Sequence, residues 1–160
     1  MAKQTVYIET TIAGHLTSRL PIDPLVSGQM LATRDWWARD RLQFDCFTSQ
    51  IVLDEAGSGD PLAAAERLAI LAGLPILELT ADADALAELL LLRSALPMKA
   101  RIDAVHVAIA ATMRMSFLLT WNCRHLANAT MRAKIENTCR DSGYDPPIIC
   151  TPLELPQEQP

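Results

Sequence analysis

The feature that most constrains the fold of this chain is an alternation of short β-rich runs with longer helical segments. The β-rich runs lie at 5–9, 44–48, 75–79, 116–120 and 148–150. Between them, apolar spacing, capping residues and prolines predict helices at about 25–42, 51–56, 61–72, 81–96, 99–114 and 124–140. The stretch after the first strand, which contains Pro21 and Pro24, is predicted to be irregular.

This order of elements predicts an α/β fold. Strands that alternate with helices form a parallel sheet with both faces covered, and ligands then bind at the carboxyl ends of the strands. A length of 160 residues is typical of one domain, which we place at 1–155. Residues 156–160, rich in proline and glutamate or glutamine, are expected to form a disordered tail.

Composition limits the classes of function. The formal net charge is −5, so bulk charge does not attract nucleic acid, and RNA binding needs a local basic patch or a bound cation. The apolar run around 89–92 is far too short to cross a bilayer, and Met1–Thr5 leads directly into the first strand. A cytoplasmic protein without membrane contact is therefore expected. The four cysteines form no C-x-x-C pair and are expected to be reduced thiols.

Four polar residues stand where the pattern predicts burial or a strand end. Glu9 follows the first strand, Glu55 follows an apolar triplet after the second, and Asn122 comes just past the fourth. Asp103 lies in a helix that is apolar almost all round and must therefore be buried. A buried carboxylate has to be paired, protonated or bound to a metal. A parallel sheet would bring these four residues to one edge, with Asp54 as a rival to Glu55.

A cluster of hard oxygen ligands is suited to Mg²⁺ or Mn²⁺. Such an ion polarises a phosphate and lowers the pKa of a bound water, and it also offsets the repulsion between carboxylates and a phosphodiester. The chemistry implied is in-line hydrolysis of a phosphodiester bond.

Several neighbouring residues allow more than one interpretation. Asp103 could instead cap the start of its helix or bond to Lys99 or Arg101. His106, one turn beyond Asp103, is either a core histidine or a group that acts on the site. After the fourth strand, Arg124 and His125 could hold RNA phosphates, while Trp121 either stacks on a base or packs inside the fold.

The placement of these residues resembles the PIN-domain family, and in particular its toxin-like, VapC-type branch. The resemblance rests on segments 6–11 (VYIETT), 49–55 (SQIVLDE), 103–108 (DAVHVA) and 118–122 (LLTWN), which span most of the chain. It implies a three-layer α/β/α sandwich with a mostly parallel sheet of roughly five strands. It also implies a ribonuclease dependent on Mg²⁺ or Mn²⁺, a homodimer, and a cognate antitoxin.

Carried over by position, the resemblance assigns catalytic roles to Glu9, Glu55, Asp103 and Asn122, and metal ligation to Glu9, Asp103 and Asn122. It matches Thr10 and Thr11 to the small hydroxyl residues after the first acid. The residues predicted to bind substrate are Thr10, Thr11, Arg124 and His125.

Two positions depart from the family pattern. Glu9 is longer than the usual aspartate by one methylene, and Asn122 keeps an oxygen but loses a charge, which leaves about three negative charges where the family has four. Weaker metal binding is expected. The alternative function is a PIN module that binds RNA or a protein partner without cleaving. An unrelated nucleotide-binding protein is disfavoured, because no glycine-rich loop follows the first strand.

Overall fold

The computed structural model describes residues 2–93 and 95–156. Its strands are β1 (Thr5–Ile8), β2 (Asp45–Ser49), β3 (Ile76–Leu77), β4 (Phe117–Leu119) and β5 (Ile148–Cys150). Its helices are α1 (Thr10–Thr17), α2 (Pro24–Ala38), α3 (Gln50–Ala56), α4 (Pro61–Leu71), α5 (Ala81–Leu92), α6 (Arg101–Thr112) and α7 (Ala129–Asp141). Short 3₁₀ turns cover Asp40–Gln43 and Met98–Ala100. Each strand falls on a predicted β-rich run, shifted by at most one residue at its ends except in the shorter β3.

The five strands form one parallel sheet in the order β3-β2-β1-β4-β5. The chain moves outward from β1 to β3, then returns to the other side of β1 to form β4 and β5. Right-handed crossovers therefore place α1–α4 on one face of the sheet and α5–α7 on the other. The contacts agree, since α1 packs on α2, α3 and α4, whereas α5 packs on α6 and α7. The predicted α/β/α sandwich with a parallel sheet is confirmed.

The central strand β1 and the middle of α6 form the centre of the core. Val6, Tyr7 and Ile8 of β1 have no solvent exposure, as expected for a strand covered on both faces. The stretch from Ala104 to Ala111 in α6 is buried without interruption. Burying one large aliphatic side chain stabilises a fold by roughly 1.5–3 kcal/mol, so this layer provides much of the stability that holds the site rigid.

The segment after β1 differs from the prediction, because α1 is a helix where an irregular stretch was expected. Its sequence contains β-branched residues and Gly14, which have low helix propensity. The helix nevertheless forms because Glu9 caps it: the Glu9 carboxylate accepts a hydrogen bond from the Thr11 backbone N–H. The capping residue is thus also a predicted site residue.

The predicted helix at 124–140 begins later, at Ala129, where Asn128 is the N-cap and its side chain accepts from the Thr130 N–H. Residues 122–127 form turns instead, which places the predicted substrate-binding residues Arg124 and His125 in a loop. Of the expected disordered tail, residues 157–160 lie outside the described residues. The single-domain assignment to 1–155 stays a prediction. Among the described residues, no helix combines the length and apolarity needed to cross a bilayer.

Candidate active site

The site lies where the direction of winding reverses, between the carboxyl ends of β1 and β4. Glu9 follows β1 directly and is 3% exposed. Its Oε2 accepts three hydrogen bonds: from the Thr11 N–H (3.1 Å), Thr11 Oγ1 (2.5 Å) and Thr120 Oγ1 (2.6 Å). Among the described residues Oε1 has no hydrogen-bond partner and is not sealed from solvent. The Glu9 side chain is therefore fixed through Oε2, with Oε1 available to a ligand.

Glu55 reaches the same place from the last turn of α3. Its Oε1 accepts from Thr10 Oγ1 (2.7 Å) and lies 2.7 Å from His106 Nε2, which must donate because an ionised carboxylate only accepts. Burial raises the pKa of the Glu55 carboxyl. The hydrogen bond and charge of His106, together with the Thr10 hydrogen bond, lower it by more than burial raises it, so the net pKa lies below the ordinary value. Its neighbour Asp54 is exposed and bonded to Gln50, so of these two acids it is Glu55 that lies beside Glu9.

Behind Glu55 runs a buried chain of hydrogen bonds. His106 Nδ1 lies 2.7 Å from the Tyr7 hydroxyl, which lies 2.7 Å from Ser49 Oγ. Ser49 Oγ also accepts from the Val52 N–H (3.2 Å) and so caps α3, the helix that carries Glu55. Tyr7, Ser49 and His106 have no solvent exposure. Burial raises the pKa of Tyr7, with a smaller opposing effect from Ser49, and the phenol stays protonated.

The two hydroxyls allow this chain to match either protonation state of His106. With a neutral ring, Tyr7 donates to Nδ1 and Ser49 donates to Tyr7; with a charged ring, Nδ1 donates to Tyr7 and Tyr7 donates to Ser49. In both states every member has a partner and Nε2 still donates to Glu55. His106 is thus a core histidine that positions a site carboxylate, which combines two interpretations left open by the sequence.

Asp103 lies in the first turn of α6 with its side chain 17% exposed. Its Oδ1 accepts from Asn122 Nδ2 (3.0 Å), and its Oδ2 accepts from His125 Nδ1 (2.9 Å). The sequence also allowed an ion pair between Asp103 and Arg101, but Arg101 binds Glu88 instead. Asn122 also donates its backbone N–H to Thr120 Oγ1 (2.9 Å), so Asp103 is linked through Asn122 and Thr120 to Glu9.

The carboxylates fit a hard divalent cation. Ligand atoms of Glu9, Glu55 and His106 lie within 4.8 Å of one another. Both ring nitrogens of His106 are already engaged, by Glu55 and Tyr7, so His106 orients Glu55 and is not itself a free ligand. Among the described residues, Glu9 and Glu55 each keep one oxygen without a donor. Carboxylate oxygen is the ligand that Mg²⁺ and Mn²⁺ favour.

The residues predicted to bind substrate have different surroundings. Thr10 and Thr11 donate their hydroxyls to Glu55 and Glu9, and Thr11 Oγ1 also accepts from the Trp121 N–H (2.8 Å). Among the described residues, the Arg124 side chain has no hydrogen bond or ion pair and is exposed. His125 Nδ1 donates to Asp103, and His125 Nε2 has no hydrogen-bond partner among the residues that the structure describes. Substrate binding by these four residues stays a prediction.

Trp121 packs inside the fold. It is 9% exposed, donates its indole N–H to Thr33 (2.7 Å) and stacks on His15 with ring centroids 5.6 Å apart. These contacts favour the packed interpretation of Trp121 over base stacking.

Sequence reasoning did not identify Tyr7, Ser49 or Thr120 as parts of the site. One signal was present for Tyr7: a tyrosine inside a fully buried strand has to find a partner for its hydroxyl. Ser49 carried the signal of an N-cap before a short helix. Thr120 carried no signal in its residue type, because its role depends on the pairing of β1 with β4.

No family model matches the sequence, and no curated protein matches it. Solved structures do match the fold. The chain superposes on VapBC2 from Rickettsia felis, solved bound to a DNA fragment from its promoter, with a TM-score of 0.60 at 16% identity, over 92% of this chain and 98% of that one. It superposes on VapC20 of Mycobacterium tuberculosis, described as a sarcin-ricin loop cleaving toxin, with a TM-score of 0.58 at 17% identity, over 75% and 92%.

These likenesses define the class of fold: this chain has the PIN-type fold of VapC structures. The resemblance predicted from the four sequence segments is confirmed at the level of the fold.

Proposed function

We propose that this protein is a metal-dependent endoribonuclease that hydrolyses RNA phosphodiester bonds. The observation that carries the proposal is the convergence of Glu9 and Glu55 at the switch point of the sheet, each with one carboxylate oxygen that no donor in the described part of the chain binds. Asp103 joins them through Asn122 and Thr120. Carboxylates gathered at a ligand-binding edge, as those of Glu9 and Glu55 are, form a costly arrangement without a cation to receive.

The cation proposed is Mg²⁺ or Mn²⁺. When bound it would polarise the scissile phosphate and lower the pKa of a water molecule. Glu9 and Asp103 would hold it. Glu55 Oε2, on a carboxylate that is ionised at neutral pH, would orient the attacking water, while Thr10 and His106 keep Oε1 in place.

In this acidic protein, local positive charge would add to the attraction of the cation for RNA. Arg124 provides it, since its exposed guanidinium has no partner among the described residues. His125 contributes its unpartnered Nε2 from the same loop, oriented by Asp103. Thr10 and Thr11 lie against Glu55 and Glu9, where a phosphate beside the cation would meet their hydroxyls.

The biological role we propose is the toxin of a toxin–antitoxin pair. Two neighbours by fold support it: one is a VapBC complex bound to promoter DNA and the other is a toxin described as cleaving the sarcin-ricin loop. A cognate antitoxin, a homodimer and a cytoplasmic location belong to the same proposal.

A cleavage assay with matched variants tests the activity. Purified protein is incubated with labelled RNA and Mn²⁺, beside Asp103→Asn and the control Asp84→Asn, which changes an exposed aspartate in the first turn of α5. We expect cleavage by the wild type and the control, and a loss of about 100-fold or more in Asp103→Asn, since removing a catalytic group typically costs 10²–10⁴-fold. Full activity in Asp103→Asn would refute the assignment. No cleavage by folded wild type would favour the module that binds without cleaving.

A further inference from the structure

The orientation of the Asn122 amide is determined from two sides. The backbone N–H of His125 can only donate, and it points at Asn122 Oδ1 at 3.1 Å. The carboxylate of Asp103 can only accept, and it faces Asn122 Nδ2 at 3.0 Å. Turning the amide over would set donor against donor and acceptor against acceptor, so the group that Asn122 turns toward Asp103 is its NH₂.

The hydrogen bond to His125 makes Asn122 a cap for the turn that follows β4, but that role does not require asparagine. Asparagine and aspartate cap comparably well, because both accept through Oδ1. The contact with Asp103 does discriminate between them, since an aspartate at 122 would set two carboxylates about 3 Å apart, where one of them is strongly disfavoured in its charged form.

We propose that Asn122 is a positioning residue that holds Asp103 in place, and that it is not a ligand of the cation. This inference rests on the proposed metal-dependent function and corrects the ligand set implied by the sequence resemblance. The group that faces Asp103 is the NH₂, which offers no lone pair to a cation, and Oδ1 is turned instead toward the His125 N–H. Asn122 and His125 together hold both oxygens of Asp103 from the protein side.

Exchanging the two residues separates a positioning role from a ligand role. Asn122→Asp alone brings two carboxylates together, whereas Asn122→Asp combined with Asp103→Asn restores an amide-to-carboxylate hydrogen bond with its direction reversed and keeps the net charge of the site. The matched control is Asn128→Asp, at an asparagine that caps α7 through Oδ1 and hydrogen-bonds no carboxylate within residues 2–93 and 95–156. Two quantities are measured: Tm in EDTA, and Mn²⁺ affinity by titration calorimetry.

In EDTA we expect Asn122→Asp to lower Tm by about 4–8 °C and the exchanged pair to regain most of that loss, while Asn128→Asp changes Tm by under about 2 °C. If Asn122→Asp alone does not fold, recovery of a folded protein on adding Asp103→Asn is the same result. We expect the exchanged pair to bind Mn²⁺ at least about 10-fold more weakly than the wild type, because its carboxylate has moved off the ligand position.

Two outcomes would overturn the inference: a Tm of Asn122→Asp in EDTA equal to that of Asn128→Asp, or an exchanged pair that keeps the wild-type Mn²⁺ affinity within about threefold. The second would mean that positions 103 and 122 serve equally as ligands. A wild type that binds no Mn²⁺ would remove the proposed metal-dependent function, and the EDTA measurements would still decide whether Asn122 holds Asp103.

Discussion

Replacing Tyr7 by phenylalanine tests the buried chain behind Glu55. The substitution removes one hydroxyl and leaves the ring, which has no solvent exposure, in its place. It breaks two hydrogen bonds of 2.7 Å, to Ser49 Oγ and His106 Nδ1. His106 Nδ1 then has no partner in a site that water does not reach, while Ser49 Oγ keeps the Val52 N–H.

The size of the effect follows from the partner that is lost. Leaving one buried polar group unsatisfied costs about 1–3 kcal/mol, so Tyr7→Phe should destabilise the fold by about 2 kcal/mol. For a chain of this length, about 2 kcal/mol corresponds to a fall in Tm of roughly 4–8 °C. A second consequence is local: without the Tyr7 hydroxyl, His106 loses one of the two hydrogen bonds that fix the rotation of its ring, so the position of Glu55 Oε1 becomes less well determined.

The assay is urea unfolding in EDTA, with Tyr144→Phe as the control. The chain has two tyrosines, and among the described residues the Tyr144 hydroxyl makes no hydrogen bond. We expect Tyr144→Phe to stay within about 0.5 kcal/mol of the wild type. If Tyr7→Phe also stays within that range, the buried hydrogen bonds of Tyr7 do not stabilise the fold, and the account of how Glu55 is positioned is wrong.

Three further predictions follow from other parts of the structure. Arg114 has a left-handed φ of 58° just after α6, where the Met115 N–H donates to the Ala110 carbonyl. Because glycine adopts this φ without strain, Arg114→Gly should raise the free energy of unfolding by about 0.5–1 kcal/mol in urea titrations. A loss of stability would contradict this. Native protein should show one rapidly reacting thiol in a spectrophotometric assay, that of the exposed Cys123. Burial raises the pKa of the other three thiols, to about 11 for Cys46 and Cys139 and to about 12 for Cys150. More than one rapidly reacting thiol would contradict the burial of these three cysteines. The lowered pKa of Glu55 means that its charge stabilises the fold above the ordinary value of about 4.3 and that this contribution is lost as pH falls through the lower folded-state pKa. The stability difference between wild type and Glu55→Gln in urea should therefore shrink between about pH 7 and pH 3, and a constant difference would contradict the shift.

Much of the fold was predictable because its signals are local. The runs that form β1, β4 and β5 are short, apolar and bounded by turn residues, and the alternation with helices specifies a parallel sheet. Helix α1 was not predictable from propensity, because its first turn depends on the Glu9 carboxylate and on contacts with α2, α3 and α4. The late start of α7 follows from the cap at Asn128, a signal that is local but was overlooked.

The sequence pattern indicates where the candidate acids and Asn122 lie in the fold, but it does not indicate which residues hold them. Glu9 and Asn122 each follow a strand, and a parallel sheet brings such positions to one edge. The contact of His106 with Glu55 joins residues 51 positions apart on two helices, and the contact of Asn122 with Asp103 depends on how the loop after β4 turns. Distances of this kind depend on tertiary packing, so sequence pattern could name the acids without showing which donor holds each one.

The most direct test of the central claim is cleavage of one labelled RNA by the wild type with Mn²⁺, by the wild type with EDTA, and by Glu55→Gln with Mn²⁺. The account predicts cleavage in the first reaction alone, with a loss of about 100-fold or more in Glu55→Gln. Cleavage that persists in EDTA or in Glu55→Gln would contradict it, because neither a cation nor the carboxylate held by His106 and Thr10 would then be needed.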